Sequence, residues 1–310
     1  MPLRDKLHIL LVVTAVVVTA TVSVFAGMFI SAARNYTQSE STHVVYPPPP
    51  QVLQPPPIQP AQIPTAFMPP VQPPTDIAPP PGSQGALVFV IDDAGHNLRD
   101  LQPFLDFPGA LTIAVLPALP LSAESARLAR AAGKEVFLHQ PMESLGGTDP
   151  GPGAIMAGMS GDEITKIINR NLDELRPVVG MNNHEGSRIT SDEEAMQSIL
   201  SLSRQRDILF LDSRTTAATA APRVASRLGI TIAERDVFLD NYQDRESMIY
   251  FINRGLARAR QHGFAIMIGH VWSPELAPLL KEKHDDLIAQ GFSFSSVADI
   301  IARKHESSGN

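Results

Sequence analysis

No cysteine occurs in the 310-residue chain. That excludes a disulfide scaffold, a cysteine nucleophile, an iron–sulfur cluster and a thiolate zinc site. Runs of basic residues are missing too, and the net charge is -7 with a pI near 5.7. Such a chain is a poor match for phosphate backbones, so nucleic acid is not an expected partner. Three devices of nucleotide and ester chemistry are also absent: a Walker loop, a G-x-G-x-x-G turn and a G-x-S-x-G nucleophile elbow. The run "EGSRIT" around Ser187 is not such an elbow.

What is present divides into three segments. Residues 9–30 are uncharged and rich in Val, Leu, Ala and Thr. About 20 apolar residues cross a bilayer as a helix, whereas the apolar core of a cleaved signal peptide is about 7–15 residues long. The run therefore reads as an uncleaved signal-anchor. Arg4 and Lys6 precede it, and the positive-inside rule keeps that end cytoplasmic. The remainder would lie outside a bacterial inner membrane, in the periplasm. Residues 47–81 hold 16 of the 28 prolines. Proline lacks an N–H, so this stretch favours an extended spacer that reaches up to roughly 100 Å. The expected plan is a cytoplasmic tip and transmembrane anchor (1–34), a disordered Pro-rich linker (35–83), one folded domain (84–304) and a flexible tail (305–310).

From residue 86 onward, short apolar runs alternate with amphipathic stretches. The apolar runs are 86–91, 111–116, 135–139, 178–182, 208–212, 236–240, 264–269 and 292–297. They are β-branched or aromatic and apolar on both faces, as suits parallel strands covered on both sides. Helical stretches are expected at 122–133, 160–175, 192–206 and 247–263, with Ser122, Ser160 and Ser191 as candidate N-caps. Alternation of this kind implies an α/β fold with a parallel sheet, and seven or eight strands favour a distorted (β/α) barrel.

In such folds the chemistry gathers at the carboxyl ends of the strands. The chain places Asp92-Asp93, His139, Asn183-His184-Glu185, Asp212, Asp240 and His270 there. Charged groups are seldom buried without a reason. An aspartate with two histidines suits a catalytic divalent metal, zinc first, with iron, cobalt or nickel as other fits to imidazole. A bound metal acidifies water and polarises a carbonyl. A second carboxylate and a second imidazole would supply acid–base catalysis.

The motifs "VIDDAG", "EVFLHQPME", "GMNNHEGSRIT", "FLDSRT", "RDVFLDN" and "IGH" stand in that order over about 84–302. They resemble the divergent polysaccharide deacetylases, a branch of the NodB-like carbohydrate esterases. The resemblance implies a barrel of about seven strands and metal-dependent removal of acetyl groups from glycans. Asp92 then resembles the general base, Asp93 a metal ligand and His270 the general acid. The H-x-x-x-H turn of the broader superfamily is absent, so His139 and His184 are expected to replace it as metal ligands. Asp212 is expected to orient an imidazole, and Arg214 to hold Asp92 or the substrate. Glu143, Asn183, Glu185, Arg188 and Trp272 are candidate substrate contacts. Two departures bear on specificity: Glu185 stands where the family usually has Met, and Val271-Trp272 where it usually has Pro.

The expected function is therefore a membrane-anchored deacetylase with one divalent metal, acting on peptidoglycan or another envelope glycan. A non-catalytic glycan-binding or division-complex module on the same fold is the alternative, with cell-wall or division proteins as partners. A phosphoesterase is a third reading, disfavoured because only Arg188 and Arg214 are placed to clamp an anion.

Overall fold

The structure is a computed structural model that describes residues 82–308, with side chains to residue 305. The expected anchor and the Pro-rich linker up to residue 81 lie outside the described residues. Among the described residues, no helix is long and apolar enough to cross a membrane.

The domain alternates strands and helices. It begins with β1 (Gly85–Ala94), α1 (Leu98–Leu105), β2 (Thr112–Val115) and α2 (Ser122–Ala131). β3 (Glu135–Met142), α3 (Gly161–Leu175), β4 (Gly180–Glu185) and α4 (Glu193–Gln205) follow. Then come β5 (Leu209–Asp212), α5 (Ala221–Leu228), β6 (Ala233–Glu234), β7 (Val237–Phe238) and α6 (Arg245–His262). The chain ends with β8 (Phe264–His270), α7 (Leu276–Ala289), β9 (Phe292–Phe294) and α8 (Val297–Ser308).

The strands pair in the order β6-β5-β4-β3-β2-β1-β8-β7, all parallel, with β9 on the first residues of β1. β8 lines β1 from Ala86 to Asp92. β9 and β2 therefore share the other edge of β1, β9 at Gly85–Leu87 and β2 from Val90 onward. The outermost members, β6 and β7, are separated in the chain only by Arg235 and Asp236. One extended segment thus pairs with β5 through its first residues and with β8 through its last. The sheet must curl for that, and the result is a parallel half-barrel. The path counts eight strands because this segment has two partners and counts twice, in keeping with the expected barrel of about seven strands.

Strand alternation sorts the apolar residues into two clusters. Leu87, Phe89, Ile91, Leu138 and Met267 pack outward against the helices. Ala86, Val88, Val90, Phe137, Leu211, Ile266 and Ile268 fill the interior. Val297, Ile300 and Ile301 of α8 join the interior cluster. Glu135, at the start of β3, accepts hydrogen bonds from the backbone N–H groups of Val297 and Ala298, both at 3.1 Å. α8 therefore closes the amino end of the strands and leaves the carboxyl end open.

Ser160 caps α3 through a full capping box with Glu163. The other two proposed caps are corrected. Ser122 is buried, and its Oγ donates to Leu116 O at 2.6 Å, so it ties the β2–α2 turn rather than the helix end. α4 is capped by Asp192, whose carboxylate accepts from Glu194 N and Ala195 N, and not by Ser191.

Candidate active site

The same alternation decides which polar side chains enter the mouth of the half-barrel. On β1 the inward residues are Ala86, Val88 and Val90, so Asp92 is the next inward position. A regular strand would turn Asp93 to the outer face. Instead the β1–β2 register slips between Ile91 and Ala94, and Asp93 adopts φ 67°. This left-handed conformation is disfavoured for a side-chain-bearing residue, though Asp tolerates it better than most. It brings both carboxylates to one side: Asp92 Oδ2 lies 3.6 Å and Asp93 Oδ1 3.2 Å from His139 Nε2.

β3 and β4 supply the imidazoles. His139 sits opposite Asn182 in the register, and His184 is two residues beyond, on the same face. His184 Nδ1 lies 3.0 Å from Asp93 Oδ1 and 3.1 Å from His139 Nε2. Three ligand atoms thus form a nearly equilateral triangle with edges of 3.0, 3.1 and 3.2 Å. Bonds of about 2.0–2.1 Å to a tetrahedral ion would require edges of roughly 3.3 Å. Asp93 Oδ1 is buried and lacks an ordinary hydrogen-bond partner. Asp93, His139 and His184 therefore fit a divalent cation held by two nitrogens and one oxygen.

The tautomer of His139 is set by its neighbours. Asn182 Nδ2 donates to Asp92 Oδ1 at 2.9 Å, which turns Asn182 Oδ1 toward His139 Nδ1, also at 2.9 Å. The proton then resides on Nδ1, and the Nε2 lone pair faces the triangle. Burial works against the charge of Asp93, but the two imidazoles beside it outweigh that and hold the carboxyl well below its usual range. Burial also opposes a proton on His139, yet the Asp92 and Asp93 charges outweigh that and raise its affinity for one. A cation would be drawn to the same point. For Asp92, burial dominates and pushes the carboxyl upward, despite the pull of His139, His270 and the Asn182 N–H.

Across the mouth, His270 Nδ1 lies 2.9 Å from Asp240 Oδ1, and its backbone N–H donates to Asp240 Oδ2 at 2.8 Å. Burial disfavours the imidazolium, but the Asp240 bond and charge, with Asp92 and Asp93, lift His270 to about 9.

Two sequence expectations are corrected here. Asp212 was expected to orient an imidazole, but Leu211 is the inward residue of β5, so Asp212 faces outward. Its carboxylate accepts from the Arg214 N–H at 2.8 Å, and Asp240 orients His270 instead. Arg214 was expected to hold Asp92 or the substrate, and its guanidinium bonds Glu234 at 3.0 Å instead of Asp92. Arg235 takes the inward place two residues after Ala233. It donates to Ser213 O at 2.7 Å and Arg214 O at 2.9 Å and lies over Phe238. Burial pushes its guanidinium down to about 10, while the Asp212, Asp236 and Asp92 charges pull it up.

The candidate substrate contacts scatter. Asn183 is buried on the outer face, where Oδ1 accepts from Ser213 N and Nδ2 donates to Glu185 O, so it does not line the mouth. Glu143 and Arg188 pair at 2.8 Å on the rim, with Glu143 Oε2 also accepting from Ala157 N. Glu185 has φ 52° and is half-buried, and its carboxylate lies outside the three-ligand group. Trp272 reaches the site directly: Nε1 donates to Asp93 Oδ2 at 2.8 Å. Asn182 and Arg235 were missed, and Asp240 was placed at its strand end without a role, although all three stand inside the motifs quoted above.

The sequence model of the divergent polysaccharide deacetylase family matches residues 89–301, a stretch that contains every group just described. The chain belongs to that family. An uncharacterized protein of Haemophilus influenzae is 30% identical over 188 residues, 61% of this chain and 67% of that one. YibQ of Escherichia coli is 37% identical over 186 residues, 60% of this chain and 58% of its own length. This chain thus aligns with less than two thirds of YibQ. A crystal structure of an uncharacterized protein from Agrobacterium tumefaciens shares the fold, with a TM-score of 0.65 at 22% identity over 71% of this chain and 90% of that one.

Proposed function

We propose that this family member is a metal-dependent deacetylase that removes acetyl groups from a cell-envelope glycan, held at the membrane by residues 9–30. The observation that carries the reading is the triangle of Asp93 Oδ1, His139 Nε2 and His184 Nδ1. A divalent ion bound there, zinc first by its donor set, would polarise the acetyl carbonyl and acidify water.

The chain's own residues supply the proton transfers. Asp92 Oδ1 is engaged by Asn182, so Oδ2 is the oxygen left to take a proton. Burial raises its basicity, the direction a general base requires. Asp240 keeps a proton on His270 Nδ1, and the raised affinity keeps the ring cationic near neutrality. His270 Nε2–H is then the donor for the departing amine or alcohol.

The test is release of acetate from acetylated peptidoglycan fragments and acetylated oligosaccharides by the zinc-loaded chain. His270→Ala is expected to keep its zinc and lose about 10²–10⁴-fold in turnover, as for a removed acid–base group. An unchanged rate in that variant contradicts the assignment. A wild-type chain that binds zinc and glycan but releases no acetate is the non-catalytic module instead.

A further inference from the structure

Trp272 is the only tryptophan in the chain and stands two residues beyond the end of β8. Its indole is 43% exposed, so it covers little core. Its N–H is nevertheless directed at the site, donating to Asp93 Oδ2 at 2.8 Å. The other oxygen of that carboxylate, Oδ1, is the corner of the ligand triangle. The indole also lies nearly parallel to the His270 ring, with centroids 4.8 Å apart at 17°. Phe238 lies nearly parallel to the same imidazole, at 5.9 Å and 20°. One side chain therefore touches both the carboxylate of the metal centre and the imidazole across the mouth.

We propose that Trp272 is a positioning residue that holds Asp93 to a single ligand oxygen and fixes the plane of the His270 ring. The inference rests on the metal-centre reading above. A carboxylate binds a cation through one oxygen or both. The terminal torsion of an Asp or His side chain is soft, so both groups need outside restraint. An N–H on Oδ2 favours the one-oxygen mode and sets the carboxylate plane. Asp240 fixes one nitrogen of His270, and the flanking rings fix the plane that this single hydrogen bond leaves free.

Zinc titration of the full chain against a chelating dye tests this, with Trp272→Phe and Trp272→Leu beside the wild type. Phe keeps the stack and loses the N–H, whereas Leu loses both. Both variants are expected to bind zinc about 10–100-fold more weakly, as when the outer partner of a metal ligand is removed. At saturating zinc, the Phe variant recovers acetate release and the Leu variant does not. In the wild type, zinc must also change the emission of this lone tryptophan, a readout that needs no variant. Undiminished zinc affinity in the Phe variant overturns the proposal and leaves the metal centre standing. So does unchanged emission on zinc binding. Absence of zinc from the wild type overturns both.

Discussion

A proton on His270 links the general acid of our proposal to stability. Its folded pKa of about 9 lies above the ordinary value of about 6.5. A raised histidine contributes stability that is fully present below about pH 6.5 and is lost as pH rises through about 9. Asp240 is the main source of that rise, against the opposing effect of burial. In zinc-free protein, Asp240→Asn is expected to lower the His270 titration seen by NMR. It should also flatten the loss of thermal stability between those pH values. Identical titration and identical pH slopes in the two proteins would contradict the pairing. The residue scale also shows what the sequence could tell. Asp92, Asp93, His139, His184 and His270 were legible because they follow apolar runs at strand ends. Asp212 was misassigned because a strand end alone does not say which face a side chain takes. Counting by twos from Leu211 turns Asp212 outward, while counting from Phe238 turns Asp240 inward. Asn182 and Arg235 follow the same rule.

At the scale of elements, one departure from that rule brings together the three residues of the proposed metal site. Asp93 reaches the mouth only through the register slip and its left-handed backbone. Alternation in the sequence gives no sign of such a slip, because it is a property of pairing with β2. β6 was hidden for a similar reason: two residues that pair only because the chain turns from β5 toward β8 leave no periodic pattern. The register that aligns His139 with Asn182 depends on close packing lower in β3 and β4. Phe137 fills the interior over Gly180, where an added Cβ would meet its ring at 2.6 Å and Leu209 O at 2.9 Å. Gly180→Ala is therefore expected to cost about 1–3 kcal/mol, the usual range for overpacking, read as a lowered unfolding midpoint. An unchanged midpoint would mean that β3 and β4 separate there without strain.

At the scale of the whole molecule, the site lies at the open carboxyl end of a half-barrel whose other end is closed by α8. That polarity follows from parallel strands and was legible from the alternation of elements. The anchor and the spacer are read from composition alone. In our proposal they hold the mouth within reach of an envelope glycan while the chain stays membrane-bound. Protease added to spheroplasts should then release the folded domain from the anchor, and protection until lysis would place it in the cytoplasm instead. Everything chemical in the account depends on the Asp93, His139 and His184 triangle. The measurement that reaches it most directly is the zinc content of the purified full chain beside its His184→Ala variant, after exchange under zinc-replete conditions. The account predicts about one zinc per chain in the wild type, as for a three-ligand catalytic site, and its loss in the variant. A wild type without zinc, or a variant that retains it fully, would contradict the account.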